Sequence, residues 1–390
     1  MDRIYLDNGS TSFPKPESVA KAVYEFISSA GCNINRGTYE KAYQIEGTVF
    51  DTRKLIAELF DAEDSRNVIF TKNVTESLNV ILKGFLRDGD HVLTSSMEHN
   101  AVMRPLNQLL NQGVSFSRIP CRADGTLILE EMEALLQGNT RAVVMMHASN
   151  VCGTMMPIRE VGRFCRAHGI KFILDSAQTA GIFPISMKDD FIDAVAFTGH
   201  KGLLAPQGIG GFVLSKEMVP LIEPLLSGGT GSISHTEEIP KFMPDRFEAG
   251  TPNLPGIVGL REGLECIKST GMENIRAHEL RLTALMLDLL KPLETKGLVR
   301  IIGRRDTDMR TGVVSIDTPG SDPAQVAFAL DSQYGIMTRV GLHCAPIAHK
   351  TLETFPTGTI RFSFGFKNTE EEVHYAVRSL KEILDGNQTA

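Results

Sequence analysis

The stretch Ala194-Val-Ala-Phe-Thr-Gly-His-Lys-Gly202 joins a run of apolar residues to a lysine set between small residues. The apolar part has the length and composition of a buried strand. In an open α/β sheet, ligands collect at the carboxyl ends of the strands. A lysine placed there can lose its proton and form a Schiff base. A solvated loop lysine is the commoner case, so Lys201 needs a second signal.

Similar apolar runs occur at 67–71, 91–94, 142–146 and 171–175, separated by amphipathic stretches such as 100–113 and 157–169. This alternation predicts βαβ crossovers and a mostly parallel sheet covered on both faces. The fold class expected is therefore α/β.

The pattern changes after about residue 254. A helical stretch over 254–291 is broken near Gly271 and is expected to end at Lys291-Pro292. Strands are predicted near 299–303, 312–318, 336–341 and 359–366, with helices at 322–334 and 369–385. The last helix begins with a capping box formed by Thr369 and Glu372. These elements predict a small α+β domain.

Composition excludes several classes of protein. The 390 residues correspond to two or three domains, at roughly 150 residues per domain. Lys and Arg total 40 against 47 Asp and Glu, a net charge of −7, which argues against nucleic-acid binding and against an anionic membrane surface. No apolar run approaches the ~20 residues of a membrane span, and the six cysteines lack metal-site spacings. We expect a cytoplasmic protein with free thiols and no metal.

A carboxylate follows a second predicted strand, in Phe172-Ile-Leu-Asp175. An aspartate there can pair with a protonated pyridine nitrogen. Together, a lysine and an aspartate are the protein's typical contribution to the chemistry of pyridoxal 5′-phosphate (PLP). The alternative for Asp175 alone is a helix cap.

A phosphate would need a cradle of hydrogen-bond donors. Thr71-Lys-Asn-Val-Thr-Glu-Ser77 follows a strand and opens a helix, so its backbone N–H groups and the Thr75 hydroxyl can hold an anion. Thr198 and His200 flank Lys201 and can complete the cradle. His99 follows the strand at 91–95 and can stack on a planar cofactor. Helix capping alone would also explain Thr75 and His99.

Two residues of the C-terminal part complete the candidate set. Arg361 lies among apolar residues of a predicted strand and needs an anionic partner, either a substrate carboxylate or an internal carboxylate. Cys344 lies in a loop with glycine and proline, and neighbouring Arg339 and His343 could favour its thiolate. The other thiols in apolar segments, Cys121, Cys152, Cys165 and Cys266, are most simply buried small residues.

Together these motifs resemble the class V aminotransferase family of fold-type I PLP enzymes, most closely its group II cysteine desulfurases and the related selenocysteine lyases. The resemblance covers essentially the whole chain. The motifs that carry it are, in order, YLDNGST, NRGTYEKA, VTES, MEHN, ASNVCGT, DSAQ, FTGHKG, RFEAGTPN, RVGLHCAP and IRFSFGFKNT.

The resemblance implies a fold and its division along the chain. It implies a large domain with a mostly parallel seven-stranded sheet between helices, plus a small α+β domain. The boundaries expected are an N-terminal segment at 1–20, a PLP-binding domain at 21–255, connecting helices at 256–293 and a C-terminal domain carrying the cysteine loop at 294–390.

The resemblance also implies residue roles at the cofactor. At the ring they are Lys201 as the Schiff-base lysine, Asp175 on the pyridine nitrogen, Gln178 on the ring hydroxyl and His99 stacked on the ring. At the phosphate they are Thr75, Thr198 and His200, with Thr251 supplied by the second subunit of a homodimer.

At the substrate, the resemblance implies contacts from Asn150, Arg361, Arg339, Asn35 and Arg36. Cys344 would be the nucleophile that accepts sulfur. Leu342 departs from the family pattern, which usually has histidine at that position and also at the position of Asn35. Cys152 replaces a frequent leucine and would leave a second thiol near the cofactor.

The activity implied is conversion of L-cysteine to L-alanine, with the sulfur held on Cys344 as a persulfide and delivered to an acceptor protein. Three alternatives stay open. The first is selenocysteine as the substrate of the same site. The second is another class V activity, such as that of an aminotransferase or epimerase, in which Cys344 is incidental. The third is a PLP-fold binding protein without activity.

Overall fold

A computed structural model describes residues 3–35, 37–233 and 235–387. Its strands are β1 (Ile4–Tyr5), β2 (Val68–Thr71), β3 (His91–Ser95), β4 (Ser115–Ile119), β5 (Thr140–Met146), β6 (Lys171–Asp175), β7 (Ala194–Thr198), β8 (Gly210–Leu214), β9 (Arg300–Ile302), β10 (Val313–Asp317), β11 (Ile336–Met337), β12 (Arg339–Gly341) and β13 (Thr359–Ser363). Its helices are α1 (Glu17–Glu25), α2 (Glu40–Leu59), α3 (Val74–Phe85), α4 (Asn100–Leu109), α5 (Glu131–Leu135), α6 (Ile158–His168), α7 (Leu254–Thr270), α8 (Met272–Thr295), α9 (Pro323–Tyr334), α10 (Pro346–Thr351) and α11 (Glu370–Asn387).

The central sheet has seven strands in the order β2-β8-β7-β6-β5-β3-β4. Strands β4, β3, β5, β6 and β7 are parallel, whereas β8 is antiparallel to both of its neighbours. The five residues of β7 and of β8 are all buried, because helices cover both faces of the sheet. The α/β fold with a mostly parallel seven-stranded sheet is confirmed.

The C-terminal part forms an antiparallel sheet in the order β12-β13-β10-β9. The capping box expected at α11 is present: Thr369 N donates to Glu372 Oε2 over 3.0 Å, and Glu372 N donates to Thr369 Oγ1 over 3.3 Å. The apolar side of α11 packs in a second hydrophobic core with α8 and the four-stranded sheet. The division into four segments expected from the sequence stays a prediction.

Helix α8 ends later than the sequence predicts. The helical stretch was expected to end at Lys291-Pro292, but α8 continues through Pro292 to Thr295. Leu290 and Leu293 on either side of the proline are buried in the second core. This packing, together with the backbone bonds from Lys296 and Leu298 to carbonyls of the last turn, holds the helix together beyond the proline.

The N-terminal segment connects the four-stranded sheet with the central sheet and forms a two-stranded sheet of its own. β1 pairs in parallel with β11, and Asp7 forms an isolated bridge with Ser363 at the end of β13. A few residues later, Ser12 N donates to the carbonyl of His200 over 3.0 Å. The segment therefore runs from the four-stranded sheet to the turn that carries Lys201.

Helix α7 supports that turn through a close backbone contact. A Cβ added to Gly263 would lie 2.3 Å from the Leu203 carbonyl oxygen, so only glycine permits the approach. We expect Gly263→Ala to lower the free energy of unfolding by about 1–3 kcal/mol, the usual cost of overpacking, measured by denaturant titration. Gly138→Ala is the control, since no atom lies within 4 Å of its added Cβ. Equal stability of the two variants would contradict the proposed contact.

Candidate active site

Lys201 lies in the turn after β7, at the carboxyl end of the strand. It borders a cavity of ≈ 40 Å³ between the central sheet, the N-terminal segment and the four-stranded sheet. Such a volume holds a few water molecules. Gln178, Gly9, Ser363 and Glu279 line the same cavity. Elements that are far apart in sequence therefore meet at the lysine.

Asp175 ends β6, the strand beside β7, where it pairs with Ala196. Its side chain is buried, and its Oδ1 accepts a hydrogen bond of 2.9 Å from Ala177 N. Burial raises the pKa of Asp175, although the Lys201 charge opposes that rise. Burial likewise lowers the pKa of Lys201 to about 8, against the attraction of Asp175. The two side chains thus interact, and the lysine can lose its proton near neutral pH.

Gln178 and His99 reach the same region from two other segments. Gln178 Nε2 donates to the Gly9 carbonyl over 3.1 Å. His99 caps α4, because its Nδ1 accepts from Ala101 N over 3.0 Å, as the capping alternative proposed. Burial, with the nearby Lys201 charge as the next cause, lowers the pKa of His99 to about 4. The imidazole is therefore neutral at physiological pH and close to the lysine.

Of the residues expected at a phosphate, Thr198 and His200 have buried polar atoms, whereas Thr75 is exposed. The Oγ1 of Thr198 and the Nδ1 of His200 are buried and have no hydrogen-bond partner. Thr198 pairs with Gly210, and a Cβ on that glycine would lie 2.8 Å from Cα of Asn73 at the start of α3. The helix N-terminus thus approaches the end of β7. Thr75 belongs to this helix but is exposed.

Helix α3 is capped by a residue that the sequence pattern did not single out. Asn73 Oδ1 accepts from Glu76 N over 3.0 Å, and Glu76 Oε2 accepts from Lys72 N over 2.6 Å. Capping of α3 therefore does not require the Thr75 hydroxyl, and the capping alternative for Thr75 is wrong. The hydroxyl is left on the exposed side of the helix start.

Asn35 and Thr251 do not border the lysine cavity of their own chain. Both line a second, open cavity of ≈ 490 Å³, together with Phe50 and Leu226. Asn35 Nδ2 donates there to the Thr230 carbonyl over 2.7 Å. Arg36 lies outside the described residues.

Arg361 is 2% exposed and makes several hydrogen bonds to protein groups. Nη1 donates to the Asn150 carbonyl over 2.9 Å, and Nη2 donates to Asp7 Oδ1 over 2.8 Å and to Ser10 Oγ over 2.6 Å. The internal salt bridge that the sequence left open is therefore present. Its Nε is buried without a partner. The sequence analysis missed Asp7, although the YLDNGST motif contains it.

Cys344 is exposed, as expected for a loop thiol. It and His343 both have positive φ angles, 57° and 47°. The loop is anchored at two points: Asn100 N donates to the Cys344 carbonyl over 2.8 Å, and Asn150 Nδ2 donates to the His343 carbonyl over 2.7 Å. Because Asn100 follows His99, the first bond ties the thiol's loop to the histidine.

Two expectations about the thiols are wrong. Burial lowers the pKa of His343 to about 2, so its ring, which contacts Thr359 Oγ1, carries no positive charge that could favour a Cys344 thiolate. Cys152 is buried, as expected, with its Sγ 3.3 Å from Thr154 Oγ1, and its place near the cofactor stays a prediction. Cys121 and Cys266 are only half-buried, whereas Cys165 is buried as expected.

A model of the family described as aminotransferase class-V matches residues 4–375. The chain belongs to this family. It is 34% identical to a probable cysteine desulfurase of Pyrococcus abyssi, over 98% of this chain and 94% of that one. It is 30% identical to a cysteine desulfurase of Haloferax volcanii, over 97% of this chain and 88% of that one.

Solved structures agree with this assignment to the class-V family. The structure of a cysteine desulfurase from Thermococcus onnurineus has a TM-score of 0.92 and 32% identity, covering 98% of this chain and 95% of that one. A cysteine desulfurase from Escherichia coli has a TM-score of 0.86 and 27% identity, with the same coverage. The fold is therefore that of class-V cysteine desulfurases.

Two features are absent from the part of this class-V chain that the structure describes. Among residues 3–35, 37–233 and 235–387, no helix is long and apolar enough to cross a membrane. In the same ranges, no three His, Cys, Asp or Glu side chains are grouped so that they could hold a metal ion.

Two buried carboxyl groups of this class-V chain were not singled out from the sequence. Glu98 precedes His99 and accepts from Ser95 Oγ over 2.5 Å and from Met146 N over 3.0 Å. Glu279 on α8 lines the lysine cavity. Burial raises the pKa of each to about 8. Each glutamate stands next to a histidine in a mainly polar segment, so no local signal in the sequence marked its burial.

The raised pKa of Glu279 predicts a pH-dependent loss of stability. The folded state binds the Glu279 proton more tightly than the unfolded state, because burial raises the pKa from 4.5 to about 8. The stability of the fold therefore falls as the pH rises from about 4.5 to about 8. We expect Glu279→Gln to gain stability over the wild type between pH 5 and pH 8, measured by urea titration at each pH. Glu217→Gln, at an exposed position, should follow the wild-type curve. A constant difference across the window would contradict the assignment.

Proposed function

We propose that the protein is a PLP-dependent cysteine desulfurase that converts L-cysteine to L-alanine and receives the sulfur on Cys344. One observation carries the proposal: the exposed Cys344 loop is hydrogen-bonded to Asn100 and Asn150. Asn100 follows His99 in the chain, and the Asn150 carbonyl accepts from Arg361. A nucleophilic thiol at the edge of a lysine site is what sulfur abstraction from an amino acid needs.

The residues present fit the cofactor. Buried polar side-chain atoms in proteins nearly always have a partner, yet Thr198 Oγ1 and His200 Nδ1 lack one and lie beside Lys201. A phosphate group would satisfy them, with the α3 N-terminus and Thr75 adjacent. Asp175 would hold the pyridine nitrogen. These donors and the acidic partner match the two polar ends of PLP.

The other contacts to the cofactor follow the same logic. Gln178 would donate to the ring hydroxyl, neutral His99 would stack on the ring, and Thr251 of the partner subunit would reach the phosphate. When bound, PLP supplies an electron sink for negative charge that develops on the substrate carbons.

The side chains of this chain would then bind the substrate and move its protons. Arg361, Arg339 and Asn150 would orient the amino acid, with Asn35 contributing from the partner subunit. Lys201 can act as a base at the substrate α-carbon, since burial holds its pKa near the working pH. His99 can exchange protons because its Nδ1 is fixed by Ala101 N and its ring is neutral.

Cys344 would carry out the sulfur transfer. Its thiolate attacks the sulfur of L-cysteine, an S–S bond forms, and the Cβ–S bond breaks with its electrons left on carbon. Proton uptake at that carbon completes the methyl group of alanine. The persulfide left on Cys344 is open to solvent, so an acceptor protein or a thiol can take the terminal sulfur.

A homodimer is part of the proposal. Large apolar side chains are exposed in the segments 24–27, 39–50 and 225–242, which suits an interface between copies. They are Tyr24, Ile27, Tyr39, Tyr43, Phe50, Leu225, Leu226, Ile239 and Phe242. Phe50 and Leu226 line the cavity that also holds Asn35 and Thr251, so this face would deliver both to the partner's site.

The test is direct. Holoprotein mixed with L-cysteine is expected to release alanine, and the tryptic peptide that contains Cys344 is expected to gain the mass of one sulfur atom. Mass spectrometry of that peptide, before and after treatment with a reducing thiol, follows the transfer. Alanine without any modified Cys344 peptide would reject the persulfide, and no alanine at all would reject the desulfurase.

A further inference from the structure

A buried ion pair lies at the start of the loop that contains Thr251. Arg53 Nη1 donates to Glu248 Oε1 over 2.8 Å, and Arg53 Nη2 donates to Glu248 Oε2 over 2.5 Å, so two parallel bonds join the side chains. The Arg53 side chain is 9% exposed and the Glu248 side chain 16%. Burying two charges is costly even when they are paired. None of the contacts proposed for the cofactor or the substrate uses this pair.

Both partners of the ion pair are also bonded to β2, the edge strand of the central sheet. Arg53 Nη1 donates to the Val68 carbonyl over 2.5 Å, and Glu248 Oε1 accepts from Phe70 N over 2.7 Å. The Arg53 guanidinium group also lies 4.5 Å from the centre of the Phe70 ring. Glu248 is therefore held between α2, which carries Arg53, and the edge of the sheet.

Thr251 follows Glu248 by three positions and is exposed. Beyond it, Asn253 is held by two bonds: its Oδ1 accepts from Gly256 N over 3.0 Å at the start of α7, and its Nδ2 donates to the Gly208 carbonyl over 2.8 Å. The loop is thus fixed on both sides of Thr251, by Glu248 before it and by Asn253 after it.

We infer that Arg53 and Glu248 are positioning residues that hold Thr251 in the conformation in which it reaches the PLP phosphate of the partner subunit. This inference rests on the proposed function for the dimer and for the contact of Thr251 with the phosphate. The two charges of the pair neutralise each other, so the pair acts on the phosphate through the position of Thr251. The groups that contact the cofactor ring do not depend on the pair.

The experiment compares PLP with pyridoxal, which has the same ring but no phosphate. The dissociation constant of each is measured by equilibrium dialysis of protein loaded with that compound. Glu248→Ala is expected to bind PLP about tenfold or more weakly than the wild type, because the phosphate loses a hydrogen bond to a charged group. Its affinity for pyridoxal is expected to stay within about threefold of the wild-type value. An equal loss of affinity for both compounds would overturn the inference.

Thr251→Ala tests whether the pair acts through Thr251. This variant is expected to lose PLP affinity to a similar extent as Glu248→Ala. The double variant Glu248→Ala/Thr251→Ala should bind PLP no more weakly than Thr251→Ala alone, because no hydroxyl is left to position. Losses that add up in the double variant would overturn the inference.

Asp193→Ala is the matched control. Asp193 Oδ1 accepts from Lys171 Nζ over 2.7 Å and Oδ2 accepts from Phe172 N over 2.9 Å, and the Asp193 side chain is 18% exposed. The variant therefore removes a carboxylate of similar burial from a cation and a strand amide. These contacts lie at the start of β6, whereas Lys201 follows the end of the parallel β7. PLP affinity should equal that of the wild type, and a loss as large as that of Glu248→Ala would contradict a specific role of the pair.

Glu248→Gln carries the test if Glu248→Ala does not fold. It keeps an oxygen for Phe70 N but lacks the charge that holds Arg53, so PLP should bind about threefold or more weakly, with pyridoxal unchanged. PLP binding equal to the wild type would then overturn the inference. Sedimentation should show that the variant is still a dimer, since a monomer would mean that the pair maintains the interface instead.

The outcomes for the two proposals are separate. Failure of the wild type to form alanine from L-cysteine rejects the desulfurase and leaves the binding results to judge the ion pair. Unchanged PLP affinity in Thr251→Ala rejects the proposed phosphate contact and, with it, the inference. Weaker PLP binding by Thr251→Ala but not by Glu248→Ala rejects the inference alone.

Discussion

Replacing Lys201 by alanine is expected to lower kcat/KM for L-cysteine by about 10³-fold or more while the protein stays folded. A positioned side chain that transfers protons contributes about 10²–10⁴-fold, and a nucleophilic amine adds to that loss. The structure favours both roles, because Lys201 lies at the end of β7 beside Asp175 with a pKa lowered to about 8. Alanine release and thermal unfolding are the measurements.

Two control variants make the lysine prediction specific. Lys216→Ala, at an exposed position after β8, should keep wild-type turnover. Lys201→Arg keeps a positive charge but cannot lose its proton near neutral pH, so it should be as inactive as Lys201→Ala. Turnover by Lys201→Arg within tenfold of the wild type would mean that only the charge matters, and would contradict the role as a base.

The lysine and aspartate could be found from sequence because local patterns place them. Each follows a buried strand, and sequential parallel strands joined by crossovers lie side by side in a sheet. Asp175 and Lys201 therefore had to lie at one edge once β6 and β7 were recognised. The phosphate candidates followed from the same reasoning, since Thr198 and His200 precede the lysine in the chain.

Contacts between distant segments could not be predicted in this way. Asp7 and Arg361 are separated by 354 positions, and their pairing depends on the route of the N-terminal segment across the four-stranded sheet. The register that places Arg339 opposite Arg361 depends on how β12 and β13 align, which a short strand does not specify. Sequence alone could therefore offer a salt bridge as an alternative, but not its partner.

Burial was the other quantity that local patterns missed. His343 looked like a loop cation beside Cys344, yet its ring lies inside the fold against Thr359 and is neutral. Pro292 looked like a helix end, yet packing of the neighbouring leucines carries α8 past it. In both cases tertiary packing, which no short window contains, outweighed the intrinsic preference of the residue.

Cys344→Ala is expected to lower sulfur transfer from L-cysteine by at least about 10³-fold, because the variant has no group to attack the substrate sulfur. The exposed position and the anchored loop predict that the fold is unaffected. Alanine formation, sulfide release and thermal unfolding are measured together. Cys344→Ser has nearly the same size but a far weaker nucleophile, so it should be equally inactive.

Turnover of L-cysteine and of selenocysteine, compared among cysteine variants, decides between the possible activities. Cys266→Ala should behave as the wild type, since that half-buried thiol lies on α7 away from the lysine cavity. A selenide leaves more readily than a sulfide, so an enzyme made for selenocysteine would keep most of its selenocysteine turnover in Cys344→Ala. Loss of turnover with L-cysteine alone therefore shows that the thiol is needed for sulfur but not for selenium, and the ratio of the wild-type kcat/KM values for the two substrates decides between a desulfurase and a selenocysteine lyase. Alanine release from L-cysteine by Cys344→Ala within tenfold of the wild-type rate would mean that Cys344 is not the nucleophile.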